Sequence, residues 1–244
     1  MTITTATLRS TLAPITLKTS IVIPSYNERN TINELLDRVH AVPIEKEVIV
    51  VDDCSTDGTR ELLKQRVDEK RDIILRLLPR NSGKGAAVKD GLRLATGDVV
   101  IVQDADLEYD PADYPILLRP IQSGKAKVVY GSRFLGEHKA MYFWHSVGNK
   151  MLTLLCNMLF DTTLTDMETC YKVFTIDIAR KLNLREPRWG FDPEITARIL
   201  RMGHRIYEVP ISYAGREFHE GKKINAWRDG WVVLLTLFRY RFLP

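Results

Sequence analysis

Two aspartates follow an apolar run in the middle of the chain. The run Val99–Val102 has the composition of a short buried strand, and Asp104 and Asp106 come just after it. Mg²⁺ and Mn²⁺ prefer carboxylate oxygens, and magnesium is commonly held by one or two carboxylates together with a substrate's phosphates. Glu108 could supply a third oxygen. The spacing therefore indicates a divalent-cation site, although the same aspartates could instead cap turns before Pro111.

The elements that would position these aspartates are apolar runs in the first half of the chain. Three such runs, Ile21–Ile23, Val48–Val51 and Ile73–Leu77, precede Val99–Val102, and segments with helical spacing separate them. Strands that are apolar on both faces and alternate with helices form parallel sheets covered on both sides. The sequence therefore predicts an α/β fold with a mostly parallel central sheet and helices on both faces.

Polar segments stand where each predicted strand ends. The first strand runs into Pro24–Glu28 and the second into Asp52–Asp53, while the third runs into the glycine-rich Asn81–Gly85. Ligands of such sheets bind at the carboxyl ends of the strands. We therefore expect these segments and the two aspartates to converge on one crevice, although each alone could be only a turn or a helix cap.

The composition is that of an ordinary globular protein, with 45% hydrophobic and 27% charged residues among 244. The net charge of +4 is modest and gives no indication of a nucleic-acid partner. It is uneven, because the part from Lys172 onward has 14 Lys and Arg against 8 Asp and Glu. Cys54, Cys156 and Cys170 have neither disulfide-framework nor zinc spacing, which favours a reducing cytoplasm.

The chain is predicted to be one domain, residues 19–244, preceded by a flexible tail at residues 1–18. No run approaches the ~18 apolar residues that span a bilayer. The N-terminus also lacks the basic start and apolar centre of a secretory signal. We therefore expect a protein that neither crosses a membrane nor is exported.

Five segments, in this order and at these spacings, resemble the GT-A glycosyltransferases of family 2, specifically the dolichyl- or polyprenyl-phosphate sugar synthases. The resembling stretch runs from about Thr19 to Arg239, which is nearly the whole chain. Its most specific parts are Ile23–Glu28, Val50–Thr59, Asn81–Gly85, Asp104–Asp106 and Gly131–Arg133.

The resemblance implies a GT-A fold and a metal-dependent hexosyltransferase. Such an enzyme moves a sugar, with inversion, from a nucleotide-diphosphate sugar such as UDP-glucose, UDP-GlcNAc or GDP-mannose to the phosphate of a polyprenyl or dolichyl lipid. A phosphate monoester is mostly dianionic at neutral pH, so a dedicated general base is less necessary than for a hydroxyl acceptor. The main task is to stabilise the departing diphosphate, which a bound Mg²⁺ or Mn²⁺ does as a Lewis acid.

The resemblance also implies which residues bind the nucleotide. Residues that match Pro24, Tyr26, Glu28 and Asp52 hold the nucleoside in the family, with the acid at Asp52 accepting hydrogen bonds from the base. Lys84 would lie near the nucleotide, because its flanking glycines permit a close backbone approach.

The remaining catalytic residues are assigned in the same way. Asp104 would contact the ribose and diphosphate, and it would hold the metal together with Asp106 and Glu108. Arg133 would supply positive charge to the phosphates, and Asp166 would position the acceptor end of the site. As a bare sequence feature, an aspartate after Thr165 is more often a helix cap.

Further positive charge is expected from a loop near the C-terminus. Arg216, Lys222 and Lys223 match an arginine and a glycine-lysine segment that close over nucleotide and lipid phosphate in related enzymes. Many mannosyl-transferring relatives have a serine-lysine pair here, and this departure favours a uridine over a guanosine donor. Without the resemblance, the same charges would be read as a solvated face.

Two helical segments, residues 141–160 and 225–242, have broad apolar stripes, and Trp227, Trp231 and basic residues mark the second. Basic amphipathic helices with tryptophan lie in the lipid headgroup plane. Both helices could instead pack on the sheet. Since many relatives append transmembrane helices and this chain ends at Pro244, we expect peripheral binding to the cytoplasmic face of a membrane, unless a partner subunit supplies an anchor.

Three other functions agree with parts of the sequence. A response-regulator receiver also has an Asp-Asp pair after a strand, but it needs roughly half this length. A sugar nucleotidyltransferase shares the sheet and the metal, but it would need a glycine-rich loop near the first strand, where Pro24–Glu28 contains no glycine. A glycosyltransferase with a soluble saccharide or protein acceptor keeps the same chemistry and differs only in its product.

Overall fold

The structure is a computed structural model that describes residues 17–69, 73–188, 190–215 and 226–243. Within these ranges seven strands form one sheet in the order β3-β2-β1-β4-β6-β5-β7. The strands are β1 Thr19–Ser25, β2 Lys46–Asp52, β3 Ile73–Leu77, β4 Val99–Val102, β5 Val128–Ser132, β6 Lys172–Thr175 and β7 Tyr207–Pro210.

Most neighbouring strands run parallel. β1 pairs in parallel with β2 and β4, β2 with β3, and β5 with β7. Only β6 is antiparallel to its neighbours β4 and β5 among the described strands. The mostly parallel α/β sheet predicted from the sequence is therefore confirmed, together with its first four strands.

Helices connect the strands and cover both faces of the sheet. The helices are α1 Ile32–Ala41, α2 Thr59–Glu69, α3 Lys84–Leu94, α4 Tyr114–Gln122, α5 Phe143–Phe160, α6 Ile176–Lys181, α7 Phe191–Arg201 and α8 Ala226–Phe242, with a short 3₁₀ helix at Pro111–Asp113. The apolar runs Ile21–Ile23 and Val99–Val102 at the centre of the sheet have no solvent exposure at all. Each such branched side chain contributes about 1.5–3 kcal/mol through burial.

The carboxyl ends of the first four strands lie at one edge of the sheet. Ser25 at the end of β1 pairs with Asp52 at the end of β2, and Asp52 pairs with Leu77 at the end of β3. Val22 pairs with Val102, so β4 ends only a few residues short of β1. The loops that follow these strands therefore open side by side, as the sequence predicts.

A second, smaller core lies between α5 and α8. Cys156, Met167, Val233 and Leu237 are buried there against one another. The two helices therefore pack together on their inner faces, while large apolar side chains of their outer faces stay exposed. In the part of the chain that the structure describes, no helix combines the length and the apolarity needed to cross a bilayer.

Candidate functional site

A cavity of about 680 Å³ lies at the carboxyl ends of the strands and extends to α5 and α8. The loops after β1 to β5 all contribute to its lining. The predicted site residues that line it are Pro24, Tyr26, Glu28, Lys84, Asp104, Asp106, Glu108 and Arg133. Asp52 and Asp166 lie behind the lining, and Arg216, Lys222 and Lys223 fall outside the described residues.

The loop after β1 contains an asparagine in the left-handed region of backbone conformation. Asn27 has φ +54°, a conformation that asparagine tolerates better than most residues. Its Oδ1 accepts a hydrogen bond from Thr56 N at 2.8 Å, and its N–H donates to Ser55 Oγ at 2.9 Å. These bonds tie the β1 loop to the β2 loop and leave Tyr26 and Glu28 at the cavity wall.

Asp52 is not placed to meet a ligand in the cavity. Its side chain has no exposed surface, forms an ion pair with Arg60 and accepts a hydrogen bond from Ser55 N at 3.1 Å. The prediction that Asp52 accepts hydrogen bonds from the base disagrees with this placement. Its Oδ1 does, however, have no hydrogen-bond partner among the described residues.

The next residue, Asp53, lines the cavity instead. Its two carboxylate oxygens accept hydrogen bonds from Ser82 N at 2.6 Å and from Gly83 N at 2.7 Å. Asp53 therefore holds the turn after β3 against the end of β2. The Asp-Asp pair gave a signal for this site, but the sequence does not say which of two adjacent carboxylates faces inward.

The glycines beside Lys84 lie against the chain's own backbone. A Cβ at Gly83 would lie 2.4 Å from the carbonyl oxygen of Pro187, and one at Gly85 would lie 2.2 Å from that of Glu186. Gly83 also has φ +98°, which side-chain-bearing residues rarely adopt. The two glycines therefore permit a close approach of the chain's own backbone at residues 186–187.

Lys84 itself faces the cavity and pairs with the first aspartate of the Asp104–Asp106 segment. Its Nζ lies 2.8 Å from Asp104 Oδ1 and 2.9 Å from Oδ2. Burial alone would lower the pKa of Lys84, but the negative charges around it, Asp104 foremost, raise that pKa well above its ordinary value. Lys84 therefore stays positively charged and neutralises Asp104.

The predicted set of three acidic metal ligands is not formed. Glu108 Oε2 accepts a hydrogen bond from the Tyr213 hydroxyl at 2.9 Å, and Glu108 N donates to Asp106 Oδ1 at 3.2 Å. Nowhere in the described ranges do three Asp, Glu, His or Cys side chains come together as a metal site. Asp104 and Asp106 still both line the cavity, and two carboxylates fit a cation that takes its other ligands from phosphates.

Arg133 and Asp166 form a buried two-pronged ion pair. Arg133 Nε lies 2.7 Å from Asp166 Oδ2, and its second nitrogen lies 2.8 Å from Oδ1. The backbone N–H of Arg133 also donates to Asp166 Oδ2 at 3.1 Å. Of the two, only Arg133 lines the cavity, while Asp166 is fully buried behind it and fixes the guanidinium.

A second buried ion pair, of which Asp192 lines the cavity, was not predicted from the sequence. Lys172 has no exposed surface, and its Nζ lies 2.6 Å from Asp192 Oδ1. Glu168 lines the cavity between this pair and the Arg133–Asp166 pair. No local sequence signal joins these residues, because Lys172 of β6 and Asp192 of α7 are 20 residues apart and only the fold brings them together.

The far end of the cavity passes between α5 and α8. Gly148 of α5 and Gly230 of α8 both line it, and a Cβ at either would meet no described atom within 4 Å. On the same helices, Trp144, which also lines the cavity, is 78% exposed and Trp231 is 61% exposed. The polar end of the cavity is therefore continuous with an apolar one.

Sequence comparison finds related proteins along most of the chain. The family model described as Glycosyl transferase family 2 matches residues 20–182. An undecaprenyl-phosphate mannosyltransferase of Micrococcus luteus is 33% identical over 211 residues, which cover 82% of this chain and 85% of that protein. A dolichyl-phosphate beta-glucosyltransferase of Trichomonas vaginalis is 28% identical over 218 residues, which cover 82% of this chain and 67% of that protein.

Structure comparison finds the same fold in solved structures. Glucosyl-3-phosphoglycerate synthase from Mycobacterium tuberculosis matches with a TM-score of 0.74 and 19% identity, over 93% of this chain and 82% of that one. Its complex with Mn²⁺, UDP and glucosyl-3-phosphoglycerate matches with a TM-score of 0.72 and 21% identity, over 93% and 81%. At such identities the likeness concerns the fold alone, and it confirms the predicted GT-A fold.

Proposed function

Because the chain belongs to glycosyl transferase family 2, we propose that it transfers a sugar from a nucleotide-diphosphate sugar to the phosphate of a polyprenyl or dolichyl lipid. One observation carries this proposal. The same cavity holds the Asp104–Asp106 carboxylates and Arg133 at one end and opens between two apolar helices at the other. A phosphate and a long hydrocarbon chain on one acceptor would need both ends. The names of the similar proteins from Micrococcus and Trichomonas support such an acceptor.

The charged residues of the cavity would have different roles around the phosphates. Asp104 and Asp106 would hold Mg²⁺ or Mn²⁺, which supplies Lewis-acid stabilisation of the leaving diphosphate. Lys84, positively charged beside Asp104, would then be free to turn to a phosphate oxygen. Arg133 presents a guanidinium fixed by Asp166, and such planar groups suit phosphate oxygens. The acceptor's own dianionic phosphate then attacks without a protein base.

Exposed apolar side chains of α5 and α8 support peripheral membrane binding. Phe143, Trp144 and Met151 on α5 and Trp231 and Leu235 on α8 are each more than 60% exposed. Exposed aromatic and aliphatic side chains at this density favour contact with the acyl and headgroup boundary. Docking there, at the cytoplasmic face, would bring the mouth between the helices to the lipid acceptor.

A radiochemical transfer assay tests the proposal. The protein is incubated with Mn²⁺ or Mg²⁺, undecaprenyl phosphate in detergent, and in turn UDP-[¹⁴C]glucose, UDP-[¹⁴C]GlcNAc and GDP-[¹⁴C]mannose. We expect label in the organic phase with one donor, and none after EDTA treatment. Label that appears only in a water-soluble product, with 3-phosphoglycerate or a saccharide as acceptor, would overturn the lipid assignment.

Filling the apolar end of the cavity should impair transfer to a long lipid acceptor more than transfer to a short one. Gly148→Leu places a side chain in open space between α5 and α8, so we expect transfer to undecaprenyl phosphate to fall about tenfold or more by loss of one chain contact. Gly148→Ala is the matched control, since one methyl group leaves most of the space open. The measurement is kcat/KM for undecaprenyl and for geranyl phosphate. Equal losses for both acceptors would show that the chain does not pass there.

Substitutions of the two adjacent aspartates at the end of β2 should have different effects on nucleotide binding and on stability. Asp53→Asn removes one acceptor for the Ser82 and Gly83 N–H groups. We therefore expect the affinity for UDP or GDP to fall about tenfold. Asp52→Asn should instead lower the free energy of unfolding by about 1–3 kcal/mol, because Arg60 loses its charge partner. Thermal shift with and without nucleotide, and urea unfolding, distinguish the two. The reverse pattern would restore Asp52 as the base acceptor.

A further inference from the structure

One carboxyl group at the cavity wall has no ionic partner of its own among the residues that the structure describes. Glu168 lies between two complete ion pairs, Arg133–Asp166 and Lys172–Asp192, and is a member of neither. Its Oε1 is buried without a hydrogen-bond partner among the described residues. A buried carboxyl oxygen left unpaired is costly, and in native structures such an atom calls for an explanation.

The position of Glu168 within the cavity indicates which part of a ligand would meet it. On the proposed function, the nucleotide lies over the ends of β1 and β2, the diphosphate at Asp104 and Asp106, and the lipid between α5 and α8. The sugar joins donor to acceptor and must occupy the space between these parts. Glu168 lines the cavity. It lies just before β6, which is the neighbour of β4 in the sheet, and just after Met167, which packs in the core shared by α5 and α8. These neighbours place it in the space between the diphosphate and the lipid.

From this geometry we infer that Glu168 recognises the donor sugar, with its carboxyl group hydrogen-bonded to a sugar hydroxyl. The inference rests on the proposed function and adds a specificity-determining residue to it. A hydroxyl is both donor and acceptor, and it would satisfy the Oε1 atom that the protein leaves unpaired.

The charge state of Glu168 agrees with this role. Burial, and after it the negative charge of Asp192, raise the pKa of Glu168 to about 8. The positive charges of Lys172 and Arg133 lower the pKa of Glu168, and the negative charge of Asp166 raises it. At neutral pH the group is therefore mostly a neutral acid, which can donate and accept towards one hydroxyl. A neutral acid also adds no repulsion against the dianionic acceptor phosphate, which an ionised one would.

Donor analogues that each lack one hydroxyl test the inference. For the wild-type protein we expect one deoxy analogue of the preferred donor to lose about 100-fold or more in kcat/KM. In Glu168→Ala that analogue and the full donor should differ less than about threefold, because the partner of the hydroxyl is gone. Glu168→Gln keeps a donor and an acceptor and should retain most of the discrimination. Glu137→Gln, an exposed glutamate elsewhere, is the matched control and should change nothing.

Binding measurements separate a failure of this inference from a failure of the proposed function. The affinities of UDP-glucose and GDP-mannose are compared with those of UDP and GDP, with Mn²⁺ and without any acceptor. We expect Glu168→Ala to remove the extra affinity that the sugar confers and to leave nucleoside diphosphate binding unchanged. An Ala variant with the wild-type pattern of analogue discrimination and sugar affinity would overturn the inference, whether or not lipid transfer is observed.

Discussion

Replacing Asp106 by asparagine is expected to lower the rate of sugar transfer by about a thousandfold while the protein stays folded. Asp106 lines the cavity after β4, and its Oδ1 accepts a hydrogen bond from Glu108 N at 3.2 Å. Asparagine keeps that acceptor oxygen and the size of the side chain. It removes the negative charge, and a neutral amide is a poor ligand for a hard divalent cation.

The expected loss is specific to the metal. In a thermal-shift titration, wild-type protein with UDP or GDP should gain stability as Mn²⁺ is added, and Asp106→Asn should not. Asp110→Asn is the matched control, because Asp110 caps the following 3₁₀ helix outside the cavity and asparagine can serve as the same cap. Full metal-dependent stabilisation of Asp106→Asn, or turnover of the wild type after complete removal of metal, would contradict the ligand assignment.

Glu108 does not join Asp104 and Asp106 as a third acidic ligand in the structure. Its carboxylate is held by the Tyr213 hydroxyl at 2.9 Å rather than gathered with the other two acids. Local spacing suggested three ligands because alternate residues of an extended segment share one side. Leu107, with φ +62°, breaks that alternation. Leucine rarely adopts a positive φ, so the residue type at this position does not indicate the turn.

The centre of the sheet was predictable from local patterns because its strands β1 and β4 are buried on both faces. Ile21–Ile23 and Val99–Val102 are continuous apolar runs, and both are fully buried at the centre of the sheet. Their carboxyl ends had to open at one edge once the strands were parallel, so the β1 and β4 loops could be assigned to one crevice. β6, Lys172–Thr175, was missed because only Val173 and Phe174 in it are apolar, and its antiparallel pairing depends on neighbours distant in sequence.

The details of the site depend on long-range packing and could not be predicted. Gly83 is needed because the backbone at Pro187 passes against it, and nothing near Gly83 announces that contact. Adjacent carboxylates likewise have different surroundings, since Asp52 meets Arg60 while Asp53 meets the turn after β3. Sequence patterns therefore indicated which segments form the site, and packing decided the role of each side chain.

The Arg133–Asp166 pair gives the second large prediction. Asp166→Ala would leave a buried guanidinium without its carboxylate, and breaking such a pair costs about 3–5 kcal/mol in the free energy of unfolding. Arg133 is only 8% exposed and Asp166 is fully buried, so solvent offers little compensation. Urea unfolding measures the loss. A change below about 1 kcal/mol, the range of exposed ion pairs, would contradict the importance of the buried pair.

Loss of activity in Asp166→Ala could arise from instability alone, so a second variant is needed. Replacing both partners, Arg133→Met with Asp166→Leu, removes both charges and should recover most of the lost stability, because apolar residues often replace a buried ion pair without penalty. Transfer should nevertheless stay about 100-fold or more below wild type, since no guanidinium reaches the cavity to meet phosphate. A stable double variant with wild-type kcat/KM would show that the pair only supports the fold, whereas a stable but inactive one would assign Arg133 to the phosphates and Asp166 to holding Arg133 in place.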